Sequence, residues 1–183
     1  MLLLIVMCVV VVIPFSGNAN SVSKQTAKAK VKLVIGQYQG NVVNAGIEFL
    51  LEPDWKIYWK VPGDTGFPPQ FDWLGSTNIK QQTLFWPVPE RTHDVIGTEV
   101  LESYTYQDRV LLPLNVLVLD GQKDVSLKLD LNFAICKELC IPERVQFETT
   151  ILPNYNDPMN LAAIERAMQA VPKENGTFGL TIK

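Results

Sequence analysis

Residues 125–133 alternate without a break: Val125, Leu127, Leu129, Leu131 and Phe133 are apolar, and Ser126, Lys128, Asp130 and Asn132 between them are polar. Only a pleated strand places every second side chain on one face, so this stretch predicts a strand with one side in a core and the other in water. A few residues on, Val145, Phe147 and Thr149 alternate against Arg144, Gln146 and Glu148, the pattern expected of an antiparallel partner. Between the two lies Phe133-Ala134-Ile135-Cys136-Lys137-Glu138-Leu139-Cys140-Ile141-Pro142, which sets two cysteines at the tip of the predicted hairpin.

Upstream, the same period recurs in short pieces. Val31, Leu33 and Ile35 alternate, a turn region covers 36–44, and 45–51 makes a second strand candidate. Trp55 to Lys60 reads as an aromatic strand, and Pro62-Gly63-Asp64-Thr65-Gly66-Phe67-Pro68-Pro69 as a long shaped loop, because prolines lack a donor and glycines permit positive φ. Strands beginning at Phe71 and at Ile79 follow, residues 90–97 read as a second irregular loop, and Val100–Tyr106 and Val110–Leu119 as two more strands. Pro113 within the latter points to an edge position or a bulge. About eight short strands with frequent turn signals and no early helix predict an all-β, immunoglobulin-like antiparallel β-sandwich. The aromatics Trp55, Tyr58, Trp59, Phe67, Phe71, Trp73, Phe85 and Trp86 are expected mostly in its core, with one or two at a loop edge able to shield the cysteines.

The ends differ from this pattern. Asp157-Pro158 supplies an N-cap and a first-turn proline, and Leu161, Ile164, Ala167 and Met168 recur at helical spacing, so a short C-terminal helix is expected before Val171-Pro172. Residues 1–19 hold an apolar run from Leu2 to Phe15 followed by Gly17 and Ala19. That run is short of the roughly 20 residues that span a bilayer and suits a signal peptide cut after Ala19. It has no basic residue ahead of it, so an uncleaved, anchoring segment is the alternative. Residues 20–30 read as a flexible polar leader, 31–152 as the sandwich, and 153–183 as the helix and the start of a truncated following segment, because 178–182 alternate like a new strand just before Lys183.

Export would remove Cys8 and leave Cys136 and Cys140 as the mature chain's thiols, for which structural bridging and exchange are both open readings. A third, copper handling through the thiolates, finds little support, since one histidine, His93, leaves a conventional site short of ligands. No metal site and no cofactor are therefore expected. A Cys–His hydrolase lacks an oxyanion device, and the loop at 63–66 lacks phosphate-loop spacing. A net charge of -3 with scattered basic residues argues against nucleic acid as a partner.

The cysteine segment, together with residues 59–73 (Trp-Lys-Val-Pro-Gly-Asp-Thr-Gly-Phe-Pro-Pro-Gln-Phe-Asp-Trp) and 86–91 (Trp-Pro-Val-Pro-Glu-Arg), resembles the amino-terminal periplasmic domain of the DsbD thiol:disulfide interchange proteins, and within it the ScsB, suppressor of copper sensitivity, branch. The resemblance implies an immunoglobulin-like domain that takes electrons from a membrane-embedded donor and passes them to periplasmic thioredoxin-fold disulfide proteins. By position Cys140 would form the mixed disulfide and Cys136 would resolve it, although the pair is spaced more widely in the DsbD branch. Residues 92–97 stand where the family has a cap loop, which would make Val95 or Ile96 a shield, Asp94 an influence on proton transfer, His93 a neighbour and Tyr58 a lining residue. The remaining family domains do not follow in this sequence, so either the donor is expected to be separately encoded or the chain is a remnant of a split or truncated gene.

Overall fold

A computed structural model describes residues 21–173, with Asp94 and Ile96 described by backbone alone. Two antiparallel sheets face each other across one core, an immunoglobulin-like sandwich with a short helix on one outer face. The first sheet has the order β1-β2-β3-β9-β6, formed by Val22–Gln25, Ala29–Gln39, Val42–Leu51, Arg109–Val118 and Ile79–Leu84. The second has the order β11-β10-β4-β8-β7, formed by Cys140–Ile151, Val125–Cys136, Lys56–Gly63, Glu99–Gln107 and Glu90–Ile96, and the short β5, Gln70–Asp72, also pairs with β10.

The core forms where the alternation says it should. Val125, Leu127, Leu129, Leu131, Phe133 and Ile135 of β10 are buried between the sheets with Val145 and Phe147 of β11, facing Leu33, Ile47, Phe49 and Leu112 of the other sheet. Phe49 and Phe133 meet edge to face across the gap at 5.3 Å between centroids. Of the aromatic group, Trp55, Trp59, Phe71, Trp73 and Trp86 pack partly buried against this core, Tyr58 lies buried outside it, and Phe67 is exposed.

Helix α1, Pro158–Gln169, begins at Asp157, whose carboxylate accepts from the Met159 and Asn160 amides at 3.0 Å. Ile164 and its partly buried neighbours Ala163 and Ala167 cover Val34 and Leu111 on the outer face of the first sheet. Gly36 lets the helix approach: a Cβ there would lie 2.9 Å from the Leu161 Cα. On the same sheet the buried Glu48 receives Lys32 at 2.8 Å and Arg109 Nε at 2.7 Å. Burial pushes its carboxyl up, and the hydrogen bonds from the two cations outweigh this and hold it below the usual carboxylate range.

Three expectations are corrected. The polar stretch 20–30 is not a loose leader over its described length: Val22–Gln25 adds an edge strand to β2, and Thr26 accepts at its hydroxyl from the Ala29 amide to turn the chain between them. Backbone pairing needs no apolar side chains, which is why composition missed it. Residues 90–96 form strand β7 against β8 instead of an irregular loop, because an edge strand with water on one side tolerates a charged sequence. Pro113 lies in the central strand β9, opposite Gly46 of β3. Its carbonyl accepts from Phe85, just past the end of β6, so its nitrogen faces the point where that neighbouring strand has stopped and no ladder donor is needed. Residues 1–20 and 174–183, which carry the expected signal peptide, Cys8 and the alternating end, lie outside the described residues.

Candidate functional site

β10 and β11 pair continuously from Val125↔Ile151 to Cys136↔Cys140, so the ladder delivers the two cysteines opposite one another at its end. They are joined as a disulfide with Cα atoms 4.1 Å apart. The tip is closed by the Lys137 amide donating to the Leu139 carbonyl at 3.2 Å, and Lys137 Nζ reaches Asp54 at 3.0 Å in the β3–β4 turn.

Parity decides which face carries the sulfurs. Ile135 and Ile141 point to the core, so Cys136, Ala134, Cys140 and Pro142 belong to the outer face of the second sheet. β4 presents Tyr58 on that face, and Tyr58, Ala134 and Cys136 form a small buried cluster of their own. The two sulfur-bearing residues differ in access: Cys136 is 1% exposed, whereas Cys140 is open to solvent.

Beside Tyr58 the chain runs from Gly63, the last residue of β4, through residues 64–69 to β5. Gly63 pairs with Ser103 of β8, the Asp64 amide donates to the Glu102 carbonyl at 2.8 Å, and the Glu102 amide returns a bond to the Asp64 carboxylate at 2.8 Å. Thr65 and Ser103 hydroxyls meet at 2.8 Å. Gly66, at φ +97°, lies so close to the Tyr58 ring that no side chain fits between them. Thr65, Gly66 and Phe67 thus form one wall of an open cavity of about 470 Å³, whose other lining residues are Lys56, Tyr58, Val95, Cys136, Lys137, Glu138 and Cys140. A neighbouring apolar hollow of about 430 Å³ shares Phe67 and runs over Pro68, Phe133, Ala134 and Pro142. Phe67 and Val95, 71% and 70% exposed, give that cavity an apolar edge, and Leu139, 79% exposed, lies at the hairpin tip beside a separate hollow with Trp55.

The structure therefore brings Tyr58 and Val95 to the cysteines. His93 stands on β7 within 4.0 Å of the Glu102 carboxylate and is not among the residues lining the cavity. Glu102 is also held by Tyr104 and Arg91, which keep its carboxyl below the ordinary range. Asp94 and Ile96 are placed only by their pairing with Leu101 and Glu99. Sequence reasoning passed over Lys56 and Gly66. The signals were there, since Lys56 has the same strand parity as Tyr58 and Gly66 ends the glycine-bearing half of the 62–69 loop. Among the described residues no group of three or more His, Cys, Asp and Glu side chains could hold a metal ion.

With one sulfur-bearing residue buried and the other exposed, the bond is open to approach from the Cys140 side. The family model for the N-terminal region of the thiol:disulfide interchange protein DsbD matches residues 19–152. Among solved structures the chain is similar to the N-terminal periplasmic domain of ScsB from Proteus mirabilis, at 22% identity and a TM-score of 0.65, a likeness that speaks for the fold. The alignment covers 84% of this chain and 60% of that one. The GAE domain of yeast GGA1 aligns at 13% identity and a TM-score of 0.36 over 70% of this chain and 97% of that one, too distant to carry an argument. No curated protein matches the chain by sequence.

Proposed function

The chain belongs to the DsbD N-terminal domain family, and on that premise we propose that it is a periplasmic thiol:disulfide exchange module relaying electrons through Cys136 and Cys140 to partner disulfide proteins. The observation that carries the reading is the asymmetry of the pair, Cys136 buried against Tyr58 and Cys140 exposed in a cavity that Phe67 and Val95 line. In the reduced module the Cys140 thiolate attacks a partner disulfide, forming a Cys140–partner bond and releasing one partner thiolate. The Cys136 thiolate then attacks Cys140 Sγ, the Cys136–Cys140 bond forms, and the second partner sulfur leaves with the electron pair and takes a proton. Two electrons have passed to the partner, and a membrane-embedded donor returns them by the reverse attack on Cys140. The apolar edge of the cavity suits the flat apolar surround of a thioredoxin-fold active site.

The test is trapping. Cys136→Ser should accumulate a covalent complex through Cys140 with periplasmic thioredoxin-fold proteins, and Cys140→Ser should not. Absence of any complex from Cys136→Ser, combined with resistance of the wild-type bond to mild dithiols, would leave a structural staple and overturn the proposal.

A further inference from the structure

We propose that Phe67 is a specificity-determining residue, and that the hollow behind it seats a bulky apolar side chain flanking the partner's reactive cysteine; this rests on the exchange reading above. Exchange itself sets the geometry. Two sulfurs must come within about 2 Å to bond, so the residues beside a partner's cysteine have to lie on the surface beside Cys140. Toward the hairpin tip only residues 137–139 remain. In the other direction the next pair on the same face is Ala134 and Pro142, two residues along each strand and therefore about 7 Å from the disulfide. With Phe67 and Pro68 this pair lines the apolar hollow of about 430 Å³. Phe67 also lines the cavity that holds both cysteines, so one exposed ring stands between the reacting sulfur and the recess next to it.

The hollow owes its place to the sheet. β4 pairs with β10 at Cys136, β5 pairs with it at residues 130–132, and the recess lies along the stretch between. Its chemistry specifies the occupant. Of the charged groups at its far side, Glu143 accepts from the Ala27 amide at 3.0 Å and Arg144 donates from Nε to Asp130 at 2.8 Å, while Gln70 and Asn132 are uncharged. An incoming charge would lose its water and find these ionic groups already paired, whereas an apolar side chain would bury against Phe67, Pro68, Ala134 and Pro142. Backbone pairing is the other way to hold a partner, and the edge of β11 is poor for it. Pro142 has no N–H to donate, and one residue on the β1–β2 turn already occupies Glu143. Discrimination therefore falls to a side chain in the hollow.

The experiment offers the reduced protein short peptides, each with a single cysteine joined by a disulfide to thionitrobenzoate, and follows release of that chromophore. The residue before or after the cysteine is phenylalanine, leucine, glycine or aspartate, and each rate is divided by that of dithiothreitol with the same peptide. On at least one side phenylalanine and leucine should react about tenfold faster than glycine, the gain from partly burying a large apolar side chain, and aspartate no faster than glycine. Phe67→Ser should abolish the preference. Val88→Ser, which removes a comparably exposed apolar residue beside the C-terminal end of α1, should leave it intact. Equal rates across the peptides with the wild-type protein would overturn the inference without any variant, and so would a preference that survives Phe67→Ser. A dimer in sedimentation that Phe67→Ser dissolves would give the hollow to a second copy of the chain and overturn it as well. Release without preference leaves exchange standing and removes the hollow from it, whereas failure of Cys136→Ser to hold any peptide through Cys140 would remove exchange and this inference with it.

Discussion

Reducing the Cys136–Cys140 bond should leave the sandwich folded, and the structure sets how much stability is lost. The bond joins residues separated by 4 in sequence. A cross-link acts chiefly by restricting the unfolded chain, and a ring this small removes little freedom, about 2 kcal/mol by loop-closure entropy. The native side adds no further dependence, because β10 and β11 pair all the way to the cysteines and β10 is held on its other edge by β4 and β5. For a chain of this size that loss lowers Tm by about 4–8 °C. Thermal unfolding followed by circular dichroism, with and without a dithiol and in Cys136→Ala/Cys140→Ala, measures it, the double variant controlling for reductant. A loss above about 4 kcal/mol, toward the upper end for native disulfides, or a molten reduced state at room temperature, would show that the pair clamps the sheet and would refute this account.

Other perturbations read other parts of the molecule. Gly66→Ala forces a side chain into positive φ and into the Tyr58 ring, so residues 63–69 should lift and the disulfide should react with a small thiol about tenfold faster, with about 1–2 kcal/mol of backbone strain appearing as lower stability in urea. Glu48→Ala deprives Lys32 and Arg109 of their buried partner; both cations can turn to water, so urea unfolding should register a loss of about 1–3 kcal/mol and not the larger figure of a fully buried pair. Asp130, with Arg144 and Gln146 on its carboxylate, is held down from about 3.8 to about 2. A carboxyl depressed in the folded state stabilises fully above its unfolded pKa and loses that contribution as pH falls through the folded one, so Tm should decline from pH 3.8 toward pH 2 and Asp130→Asn should flatten that segment. Asp157→Ala should cost about 1 kcal/mol and loosen α1 first, visible as faster amide exchange at Met159 and Asn160.

What the sequence made legible follows from how side chains report on burial. The alternating cores of β10 and β11 were readable because one face of each is apolar and the other polar, although both strands run three to four residues further toward the cysteines, and the Asp157-Pro158 start of α1 was readable because a capping carboxylate and a proline are both local devices. β1 and β7 were not, since they are held by backbone pairing to β2 and β8 while their described side chains lie mostly in solvent and carry no apolar period, unlike β11, an edge strand whose Val145 and Phe147 reach the core. Pro113 misled for a related reason: the rule that confines proline to edges concerns the direction of one nitrogen, and only the three-dimensional stopping point of β6 shows that this nitrogen had no partner to lose. At the cavity, the cysteines, Tyr58 and Val95 had been singled out and Lys56 had not, because its place beside Cys136 comes from a register across β4 and β10 whose paired residues are 80 positions apart in the chain.

The unbroken pairing of β10 with β11 also bears on time. When partner and module are joined through Cys140, the ladder still holds the Cys136 and Cys140 backbones side by side, with no loop left to search. Well-oriented groups of this kind react as if present at about 10⁵–10⁸ M, far beyond any free thiol that could compete. The covalent intermediate should therefore be fleeting in the native protein, with release limited by ionisation of Cys136 and not by encounter. Under the exchange proposed above, a module built this way would hand over its electrons almost as soon as it touched its partner and would leave few dead-end conjugates behind.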